Sequence, residues 1–136
     1  MADCIFCKIV AGQIPCAKVL EDDAALAFLD IGPLAVGHAL LIPKAHYETV
    51  DQMPADVAAA VLRHLPALAR AVRAATGATG VNVLQNNGRS AHQSVPHVHF
   101  HIIPRREGDT WHFNWPAGKY AAGEMDEMVR RIREGL

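Results

Sequence analysis

The sequence predicts an α+β fold with a mainly antiparallel sheet, one long helix and a short N-terminal helix. Two clusters of β-type segments flank a helix-type stretch over residues 54–75. The links between the early strands are too short for the crossovers that parallel strands need. With 136 residues, of which 51% are hydrophobic, the chain can form a single domain over residues 1–136.

Local patterns predict each element in turn. Helices are predicted over 4–10, 54–75 and 122–134. Strands are predicted over 17–20, 24–30, 38–43 and 81–84. Asp3 is the expected cap of the first helix, and Pro15 ends the segment that follows it. Residues 31–33 favour a hairpin connection. We expect Pro66 to kink the long helix and Gly77 to end it.

Three histidines mark the candidate site. His97, His99 and His101 alternate with apolar residues in a segment of β-type sequence. Side chains two positions apart share one face of a strand, so the three imidazoles are expected on one face. Imidazoles titrate near neutrality, act as nucleophiles and bind metals, which indicates a chemical site rather than a structural one. Zinc held by alternate histidines is an alternative use of the same pattern.

The cysteines and the net charge bear on the cellular compartment and on the classes of partner. An odd count of three cysteines and an N-terminus without a secretory pattern favour the cytoplasm. Cys4-x-x-Cys7 suits half of a zinc site or a redox dithiol, and spacing alone does not choose the remaining ligands. A net charge of −1 and the lack of a long apolar stretch argue against nucleic-acid and membrane partners.

The run 97–103 matches His-φ-His-φ-His-φ-φ, where φ is an apolar residue, the signature of the histidine-triad (HIT) superfamily. The chain resembles the Hint-like branch, of the bacterial type with a CxxC zinc site, in further short blocks that occur in the same order. These blocks are 5–9, 14–15, 21–23, 27–30, 37–46 and 93–95. The resemblance implies a HIT-like fold, a nucleotide ligand and a homodimer.

The resemblance also implies a role for each site residue. His99 would be the nucleophile that attacks the α-phosphorus, and His101 and His38 would flank the phosphate. Gln93 and Ser94 would contact phosphate oxygens or the leaving group, and Asn86 would support the phosphate end. Asp30 would accept the ribose hydroxyls, and the base pocket would consist of Phe6, Ile9, Ile14, Phe28 and Ile31. The expected ligand is a purine nucleotide of the AMP or GMP type.

A structural zinc ion is the expected cofactor. By resemblance its ligands would be Cys4, Cys7, His46 and His97, a closed set without an open coordination position. Magnesium is not needed, because imidazolium and amide donors can neutralise the phosphoryl oxygens. Cys16 has no role in this scheme and is expected to be a small, half-buried residue.

The resulting expectation is a hydrolase that cleaves purine nucleoside phosphoramidates through a nucleotidyl-histidine intermediate. A dinucleoside polyphosphate hydrolase of the same superfamily is one alternative. A nucleotide-binding regulatory module with incidental turnover is another, and zinc-hydrolase chemistry at the triad is a third. Pro96 stands where relatives often carry an aromatic residue, and segment 111–116 aligns loosely, so the leaving group stays open.

Overall fold

The computed structural model describes residues 3–136 and is built around a five-stranded sheet. The strands are β1 (Lys18–Glu21), β2 (Ala25–Leu29), β3 (Ala39–Pro43), β4 (Gly80–Gln85) and β5 (Phe100–Arg105). Their order in the sheet is β1-β2-β3-β5-β4, and every neighbouring pair is antiparallel. The α+β class and the antiparallel sheet are therefore confirmed.

The helices are α1 (Ile5–Val10), α2 (Ala55–Leu62), α3 (Leu65–Thr76) and α4 (Glu124–Glu134). The expected long helix over 54–75 is thus two helices, and the interruption next to Pro66 is a full break rather than the expected kink. Pro66 lies in the first turn of α3, where its missing N–H leaves no helix bond unmade. At the break, Arg63 and His64 contact the Asp22 carboxylate at 2.6 and 2.7 Å, which joins the break to the β1–β2 turn.

Helix α1 begins with an unusual cap. Cys4, rather than the expected Asp3, is the N-cap, and its Sγ accepts a hydrogen bond from the Cys7 N–H at 3.5 Å. The preferred N-cap side chains bear an oxygen atom that accepts the hydrogen bond. A cysteine is therefore not recognised as an N-cap from the sequence. The same thiol belongs to a cluster of potential metal ligands described below.

Alternation along the central strands gives the sheet two apolar faces. In β2 and β3, one set of side chains packs beneath α2 and α3, and the other packs beneath α1. The helix-pair side contains Val61, Leu68, Val72, Leu41 and Ile102, among others. The α1 side contains Phe6, Leu26, Phe28, Leu40 and Ile42. This second face opens into the candidate site.

The histidine segment enters the sheet later than expected. Strand β5 begins at Phe100, so His97 and His99 lie in the non-strand segment that precedes it, and His97 ends a bend. In that segment the Val98 N–H donates to the Tyr47 carbonyl at 2.8 Å, which lies beyond the end of β3. His97 and His99 therefore lie outside the regular hydrogen-bond ladder of the sheet.

Residues 106–123 have no helix or strand, as the sequence predicts, and α4 follows them. Within residues 3–136, none of the helices combines the length and apolar character needed to cross a bilayer.

Candidate active site and metal-ligand cluster

A cavity of about 580 Å³ lies between α1 and the sheet. Its volume is in the range of small-molecule sites, and its wall is mostly apolar. The residues predicted for the base pocket all line it: Phe6, Ile9, Ile14, Phe28 and Ile31. Asp30, Ser94, His99 and His101 line it as well. The expected base and ribose residues and three of the expected phosphate residues therefore line one cavity, whereas His38, Asn86 and Gln93 are not among its lining residues.

Several wall residues were absent from the sequence prediction. These are Ile5, Pro15, Cys16, Ala17, Leu29, Leu40 and Val95. Cys16 is half-buried, as expected, but it also contributes to the cavity wall. Apolar residues in these positions look like any core residue in the sequence, and only their tertiary placement identifies them.

A hydrogen bond determines which ring nitrogen of His99 carries the proton. Its Nδ1 lies 2.7 Å from the His97 carbonyl oxygen. A carbonyl only accepts, so Nδ1 donates and the neutral ring keeps a free electron pair on Nε2. Burial lowers the pKa of His99, and the ring is only 2% exposed, so the neutral form is favoured at pH 7. This is the protonation state that a nucleophilic imidazole requires.

His38 and His101 form a second, oriented pair. The Leu34 N–H donates to His38 Nδ1 at 3.1 Å, so the proton of neutral His38 lies on Nε2. Nε2 in turn donates to His101 Nδ1 at 2.9 Å, which leaves the His101 proton on Nε2. Burial and the neighbouring imidazoles lower the pKa of His101 to about 4, and burial lowers that of His38. His101 therefore offers an N–H donor beside His99, whose ring centroid lies 4.9 Å away.

Asp30 supplies the only carboxylate among the cavity-lining residues of 3–136. Its Oδ1 accepts from the Gly32 N–H at 2.8 Å, and its Oδ2 lies 3.6 Å from His38 Nε2. Asp30, His38 and His101 are close enough to be considered as a cation site. The donation from Leu34 to His38 argues against this use, because it keeps the facing His38 nitrogen protonated.

Three predicted phosphate contacts have different placements. Exposed Ser94 lines the cavity. Gln93 does not: its side chain accepts from the Gly88 N–H and donates to the Glu48 and Val95 carbonyls, so it ties the loop together. Asn86 is half-buried and is not among the lining residues of the cavity.

The His97 side chain belongs to a separate cluster of two thiols and two imidazoles. The His97 Nδ1 is 3.5 Å from Cys4 Sγ, 3.6 Å from Cys7 Sγ and 3.2 Å from His46 Nδ1. His46 Nδ1 is 3.3 Å from Cys7 Sγ. His97 Nε2 donates to the Pro43 carbonyl at 2.8 Å, which leaves its Nδ1 electron pair facing the thiols. These are the four residues expected from the sequence resemblance.

The donor set fits a tetrahedral metal ion. Zinc bonds of about 2.3 Å to sulfur and 2.0–2.1 Å to nitrogen imply separations of about 3.3–3.8 Å between ligand atoms. The four separations given above lie between 3.2 and 3.6 Å. The carbonyl behind His97 is the kind of outer partner that orients a ligating imidazole. The cluster can therefore hold a metal ion.

The chain is similar in sequence to a known protein family and to individual proteins of known activity. The model of the HIT domain family matches residues 11–108. An adenosine 5'-monophosphoramidase, hnt1, of Schizosaccharomyces pombe is 53% identical over 134 residues, covering 95% of each chain. The adenylylsulfatase HINT3 of Arabidopsis thaliana is 49% identical over 107 residues, which are 79% of this chain and 54% of that protein. The chain thus spans about half the length of this second relative.

Solved structures agree with the sequence match. A HIT-family protein from Bacillus subtilis superposes with a TM-score of 0.93 at 43% identity, covering 98% of this chain and 97% of the other. A Zn-bound histidine triad family protein from Mycobacterium smegmatis superposes with a TM-score of 0.77 at 33% identity, covering 99% of both chains. The expected fold is confirmed, and the chain belongs to the HIT family.

Proposed function

We propose that this HIT-family hydrolase cleaves purine nucleoside phosphoramidates at the α-phosphate through a nucleotidyl intermediate on His99. The observation that carries the proposal is the hydrogen bond from His99 Nδ1 to the His97 carbonyl, which leaves a free Nε2 electron pair on a cavity-lining ring. The similarity to an adenosine 5'-monophosphoramidase supports the choice of substrate class.

In the first step, His99 Nε2 forms a bond to the α-phosphorus, and the phosphorus–nitrogen bond to the amine breaks. The leaving amine takes up a proton, for which exposed Ser94 beside the cavity is suited as a relay. The His101 Nε2–H disperses the charge that develops on the phosphoryl oxygens. His38 holds that donor in place through its own hydrogen bond.

In the second step, water attacks the phosphorus and loses a proton to the solvent, and the bond to His99 breaks, releasing the nucleoside monophosphate. The neutral His99 ring is restored, still bound to the His97 carbonyl. Splitting one displacement into two in-line steps is the general advantage of a covalent nucleophile. The proposed steps do not use magnesium, because the His101 Nε2–H is a hydrogen-bond donor for the phosphoryl oxygens.

The rest of the cavity suits a nucleoside. A carboxylate accepts hydrogen bonds from a ribose diol and repels a phosphate, so Asp30 directs the sugar to its own end of the cavity. The apolar wall that contains Phe6, Phe28 and Ile14 suits the face of a purine base. Asn86 and Gln93 act on the phosphate end through the loops that they belong to.

A zinc ion held by Cys4, Cys7, His46 and His97 completes the proposal. The similar Zn-bound protein from Mycobacterium smegmatis supports zinc as the metal for this donor set. When bound, the ion would cross-link the N-terminal segment to the segments that follow β3 and precede β5. Its four protein ligands would leave no open position, so it has a structural part here and no part in the reaction.

A radiolabel experiment tests the proposal. The protein is mixed with adenosine 5'-phosphoramidate labelled at the α-phosphorus and quenched with denaturant during turnover. Wild-type protein should retain label, and His99→Ala should lose at least about 100-fold in both label and rate, as expected for loss of a nucleophile. His112→Ala, which changes an exposed histidine away from the cavity, is the matched control. Equal labelling of His99→Ala would overturn the assignment.

The same assay separates the alternatives by leaving group. Rates are compared for adenosine 5'-phosphoramidate, a diadenosine polyphosphate and adenylyl sulfate, the last because of the similarity to an adenylylsulfatase. We expect the phosphoramidate to have the highest kcat/KM. Tight AMP binding with negligible turnover on all three substrates would instead favour the regulatory binding module.

A further inference from the structure

We propose that the metal-ligand cluster and the nucleotide cavity are energetically coupled, so that metal binding tightens nucleotide binding. Phe6 and the His97 main chain are the positioning elements that both sites share. The inference rests on the proposed nucleotide site and goes beyond it by assigning control of nucleotide affinity to the cluster of Cys4, Cys7, His46 and His97.

His97 contacts both sites with different atoms. Its Nδ1 faces the thiols and His46, whereas its carbonyl oxygen accepts the Nδ1–H of His99 at 2.7 Å. The residue is fully buried, and its Nε2 is held by the Pro43 carbonyl. Because one residue supplies both atoms, a metal that fixes the His97 imidazole would also fix the carbonyl that sets the orientation of His99.

Phe6 forms a second connection. Its ring packs edge-on against His97 at 5.8 Å, against His99 at 5.2 Å and against Phe28 at 5.6 Å between centroids. Phe6 is only 7% exposed, and it lines the cavity together with Ile9 of the same helix. One ring thus contacts a candidate metal ligand, the proposed nucleophile and the base-pocket wall.

Helix α1 makes this connection sensitive to the metal. It has six residues, and its N-cap is the thiol of Cys4. A helix this short is unstable on its own, so its geometry depends on packing and on the ligands at its ends. A metal bound by Cys4 and Cys7 would fix the first turn of α1, and the wall formed by Phe6 and Ile9 would be fixed with it.

Thermodynamic linkage makes the coupling reciprocal. If the metal raises nucleotide affinity by some factor, the nucleotide raises metal affinity by the same factor. Couplings between distinct sites typically amount to about 5- to 150-fold in affinity. We therefore expect a nucleotide in the cavity to hold the metal at the cluster.

The test measures zinc rather than turnover. Zinc-loaded protein is titrated with a chelator of known zinc affinity, with and without saturating AMP, and the zinc released at equilibrium is measured with an indicator dye. AMP should raise the zinc affinity of the wild type by about tenfold, so that less zinc is released at each chelator concentration. Calorimetry on the zinc-loaded protein separately measures AMP binding. No binding of AMP would contradict the proposed function, whereas binding that leaves zinc release unchanged would overturn the coupling alone.

Two variants locate the connection. Phe6→Leu keeps an apolar side chain but removes the aromatic contacts to His97 and His99, so AMP at saturation should reduce zinc release much less than in the wild type. Ile14→Val, which shortens a cavity-lining residue outside α1, should weaken AMP binding but retain the effect at saturation. Full protection of zinc by AMP in Phe6→Leu would show that the coupling runs through global stability and would overturn the role of Phe6.

Discussion

At the residue scale, main-chain groups determine which ring nitrogen carries the proton in the histidines of the site. The His97 carbonyl orients His99, and the Leu34 N–H orients His38. The histidines themselves could be predicted from the sequence, because three alternating imidazoles are a rare pattern. Their partners could not, since a peptide carbonyl or N–H has the same chemistry at every position and only the fold selects one.

His101 provides a pH prediction at this scale. Its pKa is about 4 in the folded protein, against an ordinary value of 6.5 in the unfolded chain. Between these values the unfolded state binds more protons, so stability falls as the pH drops from 6.5 towards 4. Allowing for partial solvent exposure, we expect the free energy of unfolding to fall by about 1 kcal/mol from this residue between pH 7 and pH 5.

Urea unfolding at pH 7 and pH 5 measures this effect. His101→Gln should reduce the loss of stability between the two pH values, because the variant has no imidazole at this position to be protonated on unfolding. His112→Gln, at an exposed histidine, should keep the wild-type loss. Equal losses in wild type and His101→Gln would contradict the lowered pKa.

At the element scale, periodicity located the helices and strands well but missed one break. Expected strand 81–84 is β4, Gly80–Gln85, and expected helix 122–134 is α4, Glu124–Glu134. Periodicity alone does not show the division between α2 and α3, because the apolar stripe continues through both helices, and only Pro66 marks the region in the sequence. At the break, Arg63 and His64 contact Asp22, some forty residues earlier in the chain.

Gly37 supports the loop that carries Asp30 and His38 into the site. It has a φ of +95°, and a Cβ at this position would lie 2.4 Å from Thr76 Cγ2 in α3. Gly37→Ala therefore adds backbone strain of about 1–2 kcal/mol and a steric clash of about 1–3 kcal/mol. We expect the free energy of unfolding to fall by about 2–5 kcal/mol in chemical denaturation.

Two comparisons separate these costs. Gly12→Ala has a similar φ of +73° with no atom within 4 Å of the added Cβ, so it should show the backbone cost alone. Thr76→Ser removes Cγ2 but keeps the hydroxyl that bonds to the Val72 carbonyl. Added to Gly37→Ala, it should restore at least about 1 kcal/mol. No restoration would contradict the clash with Thr76.

At the scale of the whole molecule, the two faces of the sheet have different structural roles. The face beneath α2 and α3 forms the larger apolar core, while the face beneath α1 supports the cavity and the metal-ligand cluster. Sequence resemblance named the residues of the cavity and of the metal-ligand cluster because these residues occur in ordered blocks. It gave no sign of the hydrogen bonds that the Gln93 amide makes within its loop.

We propose that two copies of the chain form a homodimer in the cytoplasm, each chain a single domain. Strand β4 is an edge of the sheet in one copy, and α4 exposes Met125, Met128, Val129 and Ile132. Such unpaired edges and apolar residues favour association. Light scattering should give the mass of two 14.7 kDa chains at micromolar concentration. A mass of one chain would contradict the dimer.

The covalent role of His99 is the central claim, and one measurement tests it directly. Protein quenched during turnover of adenosine 5'-phosphoramidate is digested, and the adenylylated residue is identified by mass spectrometry under conditions that preserve phosphohistidine. We predict that the adenylyl group is on His99. Its presence on His38 or His101, or turnover without any adduct in a quench faster than a single catalytic cycle, would contradict the proposed mechanism.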